Sequence, residues 1–210
     1  MSQATPIHNL KGYLSWEQVE SIIAVADKLR DKLLVRLPWR TGIRVSELIN
    51  IRIGDIDFDN RVIVITVRRL RKKSGQMVER RRSVPVDRGT LEMVREYVEW
   101  RKKFPYQGDL LFPITRQRVG QIYRRLGRKV GIKEVGDPDI SQHRKLHPHH
   151  LRRSFAVQCL KRGMSVERLQ EILGHQSPST TSVYLRYLVA GQSEHYDWVW
   201  TKDESTTTKD

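Results

Sequence analysis

Cysteine is almost absent from this 210-residue chain: Cys159 is its one thiol. A single cysteine closes no internal disulfide, which excludes disulfide-scaffold classes and makes a reducing cytoplasm the expected setting. Long apolar runs are missing too. No stretch of about 18 apolar residues occurs, so no transmembrane helix is expected. Residues Met1 to Leu10 lack the basic-then-apolar order of a secretory signal. Aromatics are sparse at 8%, and hydrophobic residues reach 38%. That is somewhat below the roughly 45–50% of an average globular chain, yet enough for one core at this length. Acidic side chains are the scarce charge. Against 24 Asp and Glu stand 39 Lys and Arg, a formal net charge of +15. Such a surplus on a folded chain points first to a polyanion.

What is present reads as one domain. Residues 1–13 are expected to be a flexible arm, 14–200 the domain and 201–210 a polar disordered tail. Ser15 and Gln18 have the spacing of a capping box, and Trp16, Val19, Ile22, Ile23 and Ala26 repeat at helical spacing. A second helix is expected over Asp27–Thr41, stopped by Gly42 and kinked or shortened by Pro38. A short helix follows near Val45. The period then changes. Arg61–Val67 is β-branched, Ser83–Val86 is its partner, and Ser74-Gly75 is a turn between them. Residues 57–86 therefore form a small antiparallel sheet. Helices are expected at 88–103, 115–130, 149–162, 165–173 and 178–188, with Gly136–Lys145 a long surface loop.

The charge is concentrated in the sheet's hairpin. Between residues 68 and 82, Arg68, Arg69, Arg71, Lys72, Lys73, Arg80, Arg81 and Arg82 face one acid, Glu79. Self-repulsion at that density is costly unless an anion lies beside it, and a two-stranded ribbon can enter a DNA groove. Arg68, Arg69, Arg71, Lys72, Arg80, Arg81 and Arg82 are the candidate DNA contacts.

Three further segments carry chemistry. In Thr41-Gly-Ile-Arg-Val-Ser-Glu-Leu48, Arg44 should begin a helix with Glu47 three residues on, where a carboxylate can orient the guanidinium. In Pro148-His-His-Leu-Arg-Arg-Ser-Phe-Ala156, His149 and Arg152 share a helix face, an imidazole and a fork suited to phosphate oxygens. In Leu173-Gly-His-Gln-Ser-Pro-Ser-Thr-Thr-Ser-Val-Tyr184, His175 and Tyr184 lie either side of a helix break. His143, His147, His149, His150 and Cys159 also raise a metal reading. There is no C-x-x-C or H-E-x-x-H, and Pro148 breaks the ligand spacing, so zinc is not expected.

Taken together, T-G-x-R-x-S-E-L, a basic hairpin, P-H-x-L-R-x-S-F-A and L-G-H-x-S-x-x-T-T-x-x-Y resemble the tyrosine recombinase, or phage integrase, family over about residues 14 to 188. The resemblance implies a mainly helical catalytic domain with a small antiparallel three-stranded sheet. It implies that Arg44, His149, Arg152 and His175 hold the scissile phosphate, that Tyr184 is the nucleophile, and that Glu47 supports the first arginine. The family's hairpin lysine matches Lys73 in Lys73-Ser74-Gly75, with Lys72 the runner-up. Arg153 stands where many members carry a histidine. Most members also begin with a helical core-binding domain, whereas here the pattern starts almost at once. The sequence is thus either part of a longer member or a short member similar to the bacterial fimbrial inversion recombinases.

The implied activity is site-specific breakage and rejoining of double-stranded DNA through a 3′-phosphotyrosine, without cofactor, ATP or essential metal. The implied assembly is a homo-oligomer, a tetramer, on paired DNA sites, with no membrane partner. A type IB topoisomerase and a DNA-binding regulator that keeps the fold without cleaving are the alternatives. Tyr196, Trp198 and Trp200, beyond a hinge at Gly191, pack either on their own domain or on a neighbouring subunit.

Overall fold

A computed structural model describes residues 12–70, 77–103, 108–132, 134–137, 142–174, 181 and 184. The first helix, α1 (Trp16–Ala24), starts where the capping box demands: the Gln18 amide donates to Ser15 Oγ while the Ser15 amide donates to Gln18 Oε1. Helix α2 (Leu29–Thr41) is central, packing against α1, α4 (Arg88–Lys102), α5 (Arg116–Lys129) and α6 (Pro148–Lys161). Its Leu33, Leu34, Val35 and Leu37 are buried, each removed from water at a gain of about 1.5–3 kcal/mol.

Pro38 neither ends nor shortens α2. A proline at that position lacks the N–H that would reach the Leu34 carbonyl. The buried hydroxyl of Tyr123, on α5, donates to that carbonyl instead. Gly42 then ends α2 in the left-handed region, φ +67°, as the sequence predicts. Asp31, fully buried on α2, accepts from Arg30 Nε at 3.0 Å and from Arg125 Nη2 of α5 at 2.6 Å.

After the four-residue helix α3 (Val45–Leu48) and a 3₁₀ turn (Ile53–Asp55) comes the expected sheet. Strands β1 (Ile56–Asp57), β2 (Val62–Leu70) and β3 (Met77–Pro85) pair antiparallel in that order. Ile63 lies opposite Val84 and Ile65 opposite Arg82. Ile63, Ile65 and Val84 are buried on the face toward the helices, as is Val86 just beyond β3.

Two expectations are corrected. The segment Gly136–Lys145 is not simply a loop: β4 (Glu134–Asp137) and β5 (Gln142–Lys145) pair as a second antiparallel hairpin, with Val135 buried. Residues 12 and 13, expected within the N-terminal arm, are packed on the domain. Tyr13 is buried, the Gly12 carbonyl accepts from Arg153 Nη1 at 3.3 Å, and the Leu14 amide donates to Ser154 Oγ at 2.7 Å. The last described helix is α7 (Val166–Leu173), closed by Gly174 at φ +63°. The helix expected at 178–188 lies outside the described residues except for Thr181 and Tyr184, and so do the C-terminal aromatics. Among the described residues no helix is long and apolar enough to cross a membrane.

Candidate active site

The site is built where α2 gives way to α3, against the ends of α6 and α7. Gly42 is required twice over. Its φ is positive, and a Cβ there would sit 2.4 Å from the Phe155 ring of α6. This tight approach brings the Gly42 carbonyl to Arg152.

Arg152, on the buried face of α6, is 4% exposed. Its Nη1 donates to the Gly42 carbonyl and its Nη2 to the Leu173 carbonyl at 2.8 Å. One guanidinium thus ties the first motif to the last turn of α7. Burial pushes its pKa down to about 10, with Arg44 and Arg82 acting the same way and Glu47 and Tyr184 opposing them. It stays cationic at neutral pH. These five side chains are therefore electrostatic neighbours.

Arg44 is the N-cap residue of α3, with extended backbone at φ −77° and ψ 153°. Its amide donates to Glu47 Oε2 at 2.7 Å and its Nη1 to Glu47 Oε1 at 3.1 Å. The orienting role read from the i, i+3 spacing is thus present in the geometry. Glu47 is 6% exposed. Burial opposes its ionisation, but hydrogen bonds from Arg82 and the Arg44 amide, with both positive charges, hold its carboxyl below the usual range.

Tyr184 is half-buried and packs against Tyr13 and Val157 of α6. Its amide donates to the carbonyl of buried Thr181 at 2.9 Å. The candidate nucleophile therefore packs on its own chain, within electrostatic reach of Arg152.

His149 lies on the outer side of α6. Desolvation by the protein around it, then the charges of Arg152, Arg116, Arg153 and Arg44, lower its pKa. Its neutral form, the proton-accepting one, is favoured at pH 7. The neighbouring histidines have structural work. His147 Nδ1 accepts from the His149 amide at 3.2 Å, and His150 Nδ1 accepts from the His147 amide at 3.3 Å. Two imidazoles thus make the capping box of α6. Among the described residues, no three His, Cys, Asp or Glu side chains are grouped to hold a metal. Burial pushes the Cys159 thiol up to about 11, far from thiolate reactivity.

The hairpin cations divide. Arg81 is exposed and pairs with Glu79 at 2.8 Å, and Arg80 is exposed. Arg82, expected with them as a DNA contact, turns inward instead: Nη1 and Nη2 donate to the two Glu47 oxygens at 3.1 and 2.9 Å. The reason is the pleat, since Arg82 shares its face with Val84. Arg68 and Arg69 lie in β2 opposite Glu79 and Val78. Arg71, Lys72, Lys73 and His175 lie outside the described residues.

One surface escaped the sequence reading. Arg116, Gln117, Gly120 and Arg124 of α5 line an open cleft of about 610 Å³ with Val45, His147, Pro148 and His149. The signal was available: these α5 positions recur at helical spacing on one face.

Comparison with known proteins identifies the family and the fold. Residues 13–189 match the phage integrase family. The chain is 36% identical over 185 residues to the tyrosine recombinase XerA of Pyrococcus furiosus, covering 82% of this chain and 56% of that protein. It is 32% identical to XerA of Pyrococcus horikoshii over 182 residues, again 82% of this chain and 56% of the relative. The chain thus spans little more than half the length of these curated relatives. A crystal structure of XerA recombinase superposes with a TM-score of 0.69 at 27% identity, covering 93% of this chain and 66% of that one. The catalytic domain of bacteriophage HP1 integrase shares the fold, with a TM-score of 0.57 at 20% identity over 94% of this chain and 99% of that one. On the strength of a family match across most of its length, this chain belongs to the phage integrase family of tyrosine recombinases.

Proposed function

We propose that this chain carries the catalytic unit of a site-specific DNA recombinase, acting through a covalent 3′-phosphotyrosine without ATP or an essential metal. The observation that carries the reading is that two guanidiniums, Arg44 and Arg82, share the Glu47 carboxylate, with the buried Arg152 guanidinium and Tyr184 in the same electrostatic neighbourhood. A cluster with more positive than negative charge, held by buried hydrogen bonds, is preorganised for an anion whose charge grows in the transition state.

The Tyr184 phenol attacks the scissile phosphorus; a P–O bond to tyrosine forms and the P–O5′ bond breaks. A tyrosine of ordinary pKa, about 10, is ionised in only about one molecule in a thousand at pH 7, so a proton acceptor is needed, and neutral His149 takes that role in this reading. Arg44 and Arg152, with His175, stabilise the non-bridging oxygens. Lys73, with Lys72 as runner-up, gives the leaving 5′-oxygen its proton. The phosphotyrosine conserves the bond energy, and a 5′-hydroxyl from another strand reverses the step. Duplex DNA runs over the exposed hairpin arginines and the α5 cleft, and the working form is a tetramer on paired sites. XerH, which shares this fold, has been solved bound to its difH substrate.

A suicide DNA substrate tests the reading. The protein should form an adduct that survives SDS, and Tyr184→Phe should abolish it while DNA binding persists. Binding without any adduct would instead favour a regulator with the same fold. Adduct from Tyr184→Phe would mean another nucleophile.

A further inference from the structure

Each side-chain nitrogen of Arg82 already donates within the protein. Its Nη1 and Nη2 donate to Glu47, and its Nε donates to the Ile172 carbonyl at 3.0 Å. Its side chain is 16% exposed. Its guanidinium lies against Gly174, where a Cβ would come within 3.1 Å of Arg82 Cδ and Nε. The last two carbonyls of α7 are thus each taken by a guanidinium, Ile172 by Arg82 and Leu173 by Arg152.

Glu47 is shared evenly. Each oxygen accepts twice: Oε1 from Arg44 Nη1 and Arg82 Nη1, and Oε2 from the Arg44 amide and Arg82 Nη2. If Arg82 were absent, the whole carboxylate charge would face Arg44, and a bidentate fork-to-carboxylate pair would be its strongest option. With Arg82 present, Arg44 gives Glu47 one terminal nitrogen.

We propose that Arg82 is a positioning residue for Arg44: by occupying half of Glu47 and anchoring it to the end of α7, it orients Arg44 without letting the carboxylate consume it. This rests on the recombinase reading above. Arg82 also joins the basic hairpin, through β3, to the arginine site, so the hairpin's placement and that of Arg44 are mechanically one.

The test uses the full chain, a suicide substrate, and a second substrate whose scissile phosphate is a neutral methylphosphonate. Arg82→Gln should lose about 10²-fold in single-turnover cleavage at saturating DNA, the scale of an ångström's misplacement. Its DNA affinity and salt slope should stay at wild-type values. The loss should shrink on the methylphosphonate, which asks less of Arg44, and so should the loss in Arg44→Ala. Arg82→Lys, with charge but no fork, should recover part of the rate. Glu47→Gln combined with Arg82→Gln should be no worse than Glu47→Gln alone.

If Arg82→Gln instead lowers the salt slope by about 0.9 with cleavage at saturation unchanged, Arg82 is a phosphate ligand and the proposal fails. Equal losses on both substrates would mark a purely structural role and also overturn it, as would wild-type behaviour. Should Arg82→Gln not fold, Arg82→Lys carries the same two-substrate comparison. Absence of adduct from the wild type would sink the recombinase reading itself, and this proposal with it. Adduct from the wild type leaves the proposal to stand or fall on the variants.

Discussion

Arg81 and Arg82 are neighbours in sequence with identical side chains, yet they belong to different parts of the molecule. Arg81 has a side chain 69% exposed and one exposed partner, Glu79; Arg82 is 16% exposed and bound on every nitrogen. One step along a strand reverses the face. A basic hairpin is therefore two populations, one available to an external anion and one spent on the protein. The same contrast separates Arg152, Arg44 and Glu47 from the outer surface, and it can be broken experimentally.

The largest effect is expected at Arg152→Ala. It removes a transition-state donor, costing about 10²–10³ in cleavage rate. It also leaves the Gly42 and Leu173 carbonyls short of a donor, costing about 3 kcal/mol in urea unfolding. Wild-type stability with lost cleavage would show that α6 and α7 hold together without this clamp.

Next comes the pair Glu47→Ala and Glu79→Ala. Removing the buried carboxylate strands two guanidiniums and should cost about 3 kcal/mol, whereas the exposed one should cost less than about 0.5 kcal/mol. Equal costs would dissolve the inside-outside distinction. The pH dependence has a definite sign. The Glu47 carboxyl is held below its ordinary value in the folded protein, so its contribution is complete above about pH 4.5 and fades as pH falls through the lowered value. A Glu47→Gln variant should lack that part of the acid loss.

His149 sharpens the comparison through rate. Its pKa lies below the ordinary 6.5, and the neutral form is the acceptor. Cleavage should therefore hold steady above pH 6.5 and fall only below it. An acid limb above pH 6.5, or one that survives in His149→Asn, would assign the proton to another group.

The smallest effect belongs to Arg81→Ala. Folding should change by less than about 0.5 kcal/mol, while the salt slope of DNA binding should drop by about 0.9. An unchanged slope would remove Arg81 from the DNA surface.

Much of this was legible in the chain because it is local. The Ser15–Gln18 capping box, the Gly42 stop and the Arg44–Glu47 spacing each need only four or five residues, and each appears in the structure where the spacing puts it. Period two across Val84 and Val86 also encodes the inward turn of Arg82, which the density of charge around it masks. The β4–β5 hairpin was hidden because its segments, Glu134-Val-Gly-Asp and Gln142-His-Arg-Lys, hold one β-branched residue. Their pairing is decided by the docking of Val135, which no local pattern announces. Pro38 misled for a related reason: the group that answers its missing N–H is on α5, far along the chain.

That last arrangement constrains ancestry as well as folding. Pro38 and Tyr123 answer each other through the Leu34 carbonyl, so they can be exchanged in one order only. A lineage that first replaces Pro38 with a residue bearing an N–H regains the helical bond, and Tyr123 is then at liberty to become phenylalanine. A lineage that loses the hydroxyl first must pass through a buried carbonyl with no donor, about 1–3 kcal/mol down. Descendants of this chain should therefore show proline without tyrosine far more rarely than tyrosine without proline.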